Sequence, residues 1–122
     1  MTPRLLIVDD SRVSRMMIRA RVQALQPGWA LEEAASGDEA LVMVAQSAPD
    51  YVTMDVNMPG LNGFDAADQL HKLAPHTRIV MLTANIQESS RARAESIGLK
   101  FVQKPITDAS MLQVIAHLTA QP

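Results

Sequence analysis

Four short apolar runs in this chain, at 5–8, 51–54, 79–82 and 101–102, each end on polar residues: Asp9-Asp10, Asp55, Thr83 and, after Gln103, Lys104-Pro105. Runs such as Leu5-Leu6-Ile7-Val8 show no alternation, which fits strands covered on both faces, as in parallel sheets flanked by helices. Stretches at helical spacing follow, at 11–25, 36–46, 64–73, 86–97 and 108–118, and a weaker strand at 29–34 brings the total to five strands alternating with five helices. Such alternation predicts an α/β, doubly wound (βα)5 fold with a five-stranded parallel sheet. Right-handed crossovers place every strand's carboxyl end on one edge, where such sheets bind ligands. The polar residues should therefore converge.

Local signals fill in this outline. In 11–25, Val13, Met17, Ala20 and Ala24 form the expected inward stripe, Arg12, Arg15, Arg19 and Arg21 the wet side, and Gln26-Pro27-Gly28 the stop. Partial alternation at 29–34 predicts an edge strand, and Ser36 with Glu39 has the pattern of a capping box. The segment 86–97 carries only a thin stripe of Ile86, Ala94 and Ile97, and 108–118 should turn Met111, Leu112, Ile115 and Leu118 inward. Strand order 2-1-3-4-5, the flavodoxin-like arrangement, sets strands 1 and 3 side by side at the switch point.

A chain of 122 residues has the size of one domain, taken as 1–122, and can bury roughly two thirds of its unfolded surface. Net charge −2 and 3% aromatic residues argue against direct nucleic-acid binding. Without cysteine there is no disulfide or thiolate chemistry. No apolar stretch reaches membrane-span length and nothing resembles a signal peptide, so a cytoplasmic protein is expected. His71, His76 and His117 lack metal-ligand spacing, and the eight methionines read as core filler.

Asp9, Asp10 and Asp55 would meet at the switch point, and three close carboxylates need either raised pKa values or a cation. Oxygen-only ligands suit a hard ion that keeps several waters, which describes Mg²⁺ with a phosphate partner. Lys104 can reach a phosphoryl oxygen and Thr83 can donate to another, which assembles the parts for in-line transfer to a carboxylate. Spacing alone does not choose among the three aspartates.

Ile7-Val8-Asp9-Asp10, Met54-Asp55-Val56-Asn57-Met58-Pro59-Gly60, Leu82-Thr83-Ala84 and Phe101-Val102-Gln103-Lys104-Pro105 together resemble a bacterial response-regulator receiver domain of the CheY-like family. The resemblance implies that Asp55 accepts a phosphoryl group from a histidine kinase or histidine phosphotransfer protein. Mg²⁺, with Mn²⁺ as the alternative, would be held by Asp9, Asp10, Asp55 and the backbone carbonyl of Asn57. It further implies that Thr83 and Lys104 bind phosphoryl oxygens, that Thr83 and Phe101 form the switch pair, and that the Lys104-Pro105 peptide is cis. Output would pass through the last two helices and last strand, which carry Arg91, Arg93, Glu95, Lys100 and His117, to an unidentified target. Asn57 and Asn85 take positions that modulate acyl-phosphate hydrolysis, and the chain is expected as a monomer or weak dimer. It would not be an enzyme, catalysing only its own phosphorylation and dephosphorylation.

A receiver excised from a longer regulator or kinase fits the same residues. A Mg²⁺-dependent aspartyl-phosphate phosphohydrolase would usually carry a second carboxylate where Asn57 stands, and a cap domain. A flavodoxin-like cofactor site would want a phosphate loop where Asp9-Asp10 stand. A binding-only receiver would usually lack an acidic or lysine position, and none is missing.

Overall fold

A computed structural model describes residues 2–84, 92, 95, 96 and 98–120. Along the chain run β1 (Arg4–Val8), α1 (Arg12–Leu25), β2 (Ala30–Ala34), α2 (Gly37–Gln46), β3 (Tyr51–Asp55), α3 (Gly63–Leu73), β4 (Arg78–Thr83), β5 (Lys100–Gln103) and α4 (Asp108–Thr119). The helix expected over 86–97, with Asn85, Arg91 and Arg93, lies for the most part outside the described residues.

All pairings are parallel, in the order β2-β1-β3-β4-β5, so the fold is the expected flavodoxin-like α/β sheet with β2 at one edge. Successive residues point to opposite faces, and both faces are apolar. Leu6, Val8, Val52, Met54, Ile79 and Met81 meet Ala40 and Val44 of α2 and Phe64, Ala67 and Leu70 of α3. Leu5, Ile7, Val80, Leu82 and Val102 meet Ile18 and Val22 of α1 and Met111, Val114 and Leu118 of α4. Burial on both sides is why these strands read as unbroken apolar runs.

Two helix faces differ from expectation. On α1 the inward residues are Ile18 and Val22, whereas Val13, Met16 and Met17 are exposed. Arg15, assigned to the wet side, is only 15% exposed, because Glu33 on β2 draws its guanidinium over the sheet edge. On α4, Val114 is buried and Leu112 faces out. Half the methionines, Met54, Met58, Met81 and Met111, fill the core as expected, while Met16 and Met17 do not.

Capping also shifted. Ser36 accepts from the Glu39 N–H at 3.1 Å, but the Glu39 carboxylate reaches back to the Ala35 N–H. The complete box belongs to α4, between Thr107 and Ser110, where the Ser110 hydroxyl accepts the Thr107 N–H in place of the usual Glu.

Inside the sheet the Thr53 hydroxyl is fully buried beside Ile7 and Val80 and has no hydrogen-bond partner among the described residues. An unmade buried bond costs about 1–3 kcal/mol, whereas an apolar group of the same shape avoids that loss. Thr53→Val should therefore raise the urea midpoint, with a gain of about 1 kcal/mol; an unchanged or lower midpoint would show that the hydroxyl is satisfied.

Candidate functional site at the carboxyl edge

Each polar residue occupies the site because its strand stops there. The Asp9 N–H donates to Ala34 O at 3.1 Å, prolonging the β1–β2 ladder by one residue before the chain turns into α1. Its carboxylate is 1% exposed and accepts from the Ser11 N–H at 2.9 Å. Asp55 closes β3 and is 4% exposed. Thr83 closes β4, buried, and its carbonyl accepts the Lys104 N–H at 2.7 Å, which ties the loop after β5 to the same edge. The Lys104-Pro105 peptide is cis.

These turns bring Asp9, Asp10 and Asp55 together, with one carboxylate oxygen from each within 4.8 Å of the others. Lys104 Nζ lies 3.3 Å from Asp9 Oδ2 and 3.5 Å from Asp55 Oδ1. One ammonium thus contacts two of the three clustered carboxylates. Burial pushes the Asp55 carboxyl above its ordinary range and the Asp9 charge adds to this, while Lys104 and the Asn57 N–H pull it down less strongly. An all-oxygen donor set with surplus negative charge suits a small hard cation, and the residues present therefore fit Mg²⁺.

The wall under Asp55 is main chain. Gly63, first residue of α3, donates its N–H to Val56 O at 3.1 Å, and a Cβ there would sit 2.8 Å from Val56 Cα and 3.0 Å from the Asp55 carbonyl carbon. Asn57 is exposed beyond Asp55, and Gly60 turns the loop at φ +75°.

Thr83 and Phe101 lie on one face of the sheet, since Thr83 is two residues beyond Met81, which pairs with Phe101. The Phe101 ring is half-buried and packs edge-on against Phe64, centroids 5.9 Å apart. It also lines a cavity of about 140 Å³ with Glu95, Leu99, Lys100 and His117. A wider cavity of about 600 Å³, between Asp50, Tyr51, His76 and Arg78, opens at the opposite sheet edge, away from the acidic residues.

Sequence reasoning missed Gly63 and the Arg15–Glu33 pair. A lone glycine carries no local mark of a close main-chain approach, and the ion pair shows only once β2 lies beside β1.

This architecture and acidic edge define a flavodoxin-like α/β protein whose polar site, at the carboxyl ends of its strands, suits a cation. Residues 5–116 match the family model described as response regulator receiver domain, and the chain belongs to that family. It is 33% identical over 117 residues to the chemotaxis protein CheY of Thermotoga maritima, covering 94% of this chain and 96% of the relative. It is 39% identical over 110 residues to a protein-glutamate methylesterase/protein-glutamine glutaminase of Anaeromyxobacter dehalogenans, covering 88% of this chain but 32% of that protein. The solved structure of Vibrio cholerae chemotaxis protein CheY4 superposes with a TM-score of 0.86 at 27% identity, covering 97% of this chain and 99% of the other. The chain is therefore a CheY-like receiver domain of two-component signalling, a class of signalling switch that binds Mg²⁺ at an acidic pocket and works between histidine kinases and downstream targets. No described helix is long and apolar enough to cross a membrane.

Proposed function

We propose that the whole of 1–122 is one phosphoacceptor unit in which Asp55 takes a phosphoryl group from a histidine kinase or histidine phosphotransfer protein in the presence of Mg²⁺. The observation that carries this reading is a buried Asp55 with Lys104 Nζ 3.5 Å from its Oδ1 inside the acidic cluster. Asp9 and Asp10, with Asp55 and the Asn57 carbonyl, would hold the ion, which neutralises charge on the incoming phosphoryl oxygens. An Asp55 carboxylate oxygen forms the new bond to phosphorus while the bond to the donor breaks and its electron pair leaves with the donor. Lys104 then turns from the aspartates to a phosphoryl oxygen, and the Thr83 hydroxyl donates to another. Exposed Val13, Met16 and Met17 on the first turns of α1, next to Asp10, offer the phosphodonor an apolar docking surface.

Output follows from the face shared by Thr83 and Phe101. Drawing Thr83 toward the phosphoryl group frees space on the side where Phe101 packs, and movement of that ring reshapes the cavity it shares with Lys100 and His117. Lacking a hydroxyl, Phe101 acts through shape alone. Asn57 offers no base for hydrolysis. The chain is thus a switch and no enzyme beyond its own phosphorylation and dephosphorylation, placed in the cytoplasm with its kinase.

Intact mass after incubation with Mg²⁺ and acetyl phosphate tests the assignment. The wild-type chain should gain one phosphoryl group, and neither Asp55→Ala nor wild type with chelator should gain any. Full labelling of Asp55→Ala would overturn it.

A further inference from the structure

The Asp9–Asp10 turn carries a support that the phosphoacceptor chemistry does not use. Arg15 donates Nη1 to the Asp9 carbonyl at 2.7 Å and Nε to Glu33 Oε1 at 3.0 Å. Arg19, one turn on, donates Nε to the other Glu33 oxygen at 2.9 Å and Nη2 to Leu31 O at 3.0 Å. One glutamate on the edge strand therefore holds two guanidinia, each fastened to a backbone carbonyl, one of which belongs to a metal-site residue. Burial would raise the Glu33 carboxyl, but the hydrogen bonds and charges of Arg19 and Arg15 outweigh it and keep it ionised below the usual range.

The Asp9 carbonyl belongs to the peptide that joins Asp9 to Asp10, so fixing it fixes the plane from which Asp10 departs. Asp9 has further anchors in Ser11 and Lys104. Asp10 has none: its side chain is exposed and makes no hydrogen bond or ion pair among the described residues. The main chain alone aims its carboxylate into the cluster. We propose that Arg15, clamped by Glu33, is a positioning residue for the metal site, holding the Asp9–Asp10 peptide so that the Asp10 carboxylate meets the cation. Partners behind metal ligands commonly change affinity by about 10–100-fold when lost.

The inference rests on the reading of this cluster as a Mg²⁺ site, and charge gives it a discriminating sign. Removing a cation bonded to the back of an acidic site should, by Coulomb attraction alone, tighten Mg²⁺ binding. Loss of a positioning contact should weaken it. Calorimetric Mg²⁺ titration of Arg15→Gln is expected to give affinity about tenfold below wild type. Arg19→Gln removes the same charge from the same glutamate but leaves the Asp9 contact, and should stay within about twofold of wild type. Thermal unfolding checks that both fold; should Arg15→Gln not fold, Arg15→Lys, which keeps the charge but not the fork, carries the same expectation. Unchanged or tighter binding by the Arg15 variant, or an equal loss in Arg19→Gln, overturns the positioning role while the metal site stands. A wild-type chain that binds no Mg²⁺ overturns both.

Discussion

Without metal, Asp55→Asn should unfold at a higher temperature than the wild-type chain, although it removes the residue on which the proposed function turns. Lys104 lies between Asp9 and Asp55 at 3.3 and 3.5 Å, and a single ammonium cannot neutralise both. Removing one carboxylate leaves a balanced Asp9–Lys104 pair. Asp55 is 4% exposed, so its charge is largely desolvated, and each pH unit by which burial and Asp9 raise its carboxyl is worth about 1.4 kcal/mol to the variant. That corresponds to several degrees in a domain of this size.

The pH dependence has a fixed sign. Burial first and Asp9 second raise the Asp55 carboxyl in the folded chain, so the ionised form is disfavoured relative to the unfolded state. The deficit is full at pH values above the raised value and disappears as pH falls below the ordinary carboxylate range. The advantage of Asp55→Asn should be greatest near neutrality and vanish in acid. Saturating Mg²⁺ should shift the order toward wild type, because a ligand at a hundred times its dissociation constant adds about 2.7 kcal/mol to the form that binds it. Thermal melts in chelator and in Mg²⁺ check both halves. A variant that melts at or below wild type in chelator would show that the acidic residues do not repel as the geometry requires.

Gly63→Ala should be destabilised by about 3 kcal/mol or more, at the top of the range for overpacking, and should lose phosphorylation in proportion. In a helix the same substitution ordinarily stabilises by about 0.5–1 kcal/mol, so the sign itself is informative. Here the added carbon meets Val56 Cα at 2.8 Å and the Asp55 carbonyl carbon at 3.0 Å. Main-chain atoms have no alternative rotamer, so either α3 lifts from β3 or the Asp55 carbonyl moves, and both displace the phosphoacceptor. Urea unfolding measures the first effect and intact mass with acetyl phosphate the second. A stability equal to wild type would mean that α3 has room to move.

Arg15 shows how far a one-dimensional reading reaches. Its charge and its helical position are visible, but its burial depends on β2 pairing beside β1, a contact between residues 15 and 33 that no local period encodes. The exposed Val13 and Met17 were misassigned for the same reason. A helix with apolar residues on more than one side has no unique inward stripe until the sheet beneath it selects Ile18 and Val22. At Glu39 the capping pattern was legible and the partner was not, because the carboxylate takes the Ala35 N–H, one residue before the cap.

Strand number, their parallel arrangement and the convergence of Asp9, Asp10, Asp55, Thr83 and Lys104 on one edge were set by the chain's own pattern. Doubly buried strands need unbroken apolar runs, and right-handed crossovers carry their ends to the same side. Packing alone decided which face of α1 turns inward, why residue 63 must be glycine, and that one lysine serves two carboxylates. Those depend on distances between atoms far apart in sequence, and such distances exist only once the layers close on one another.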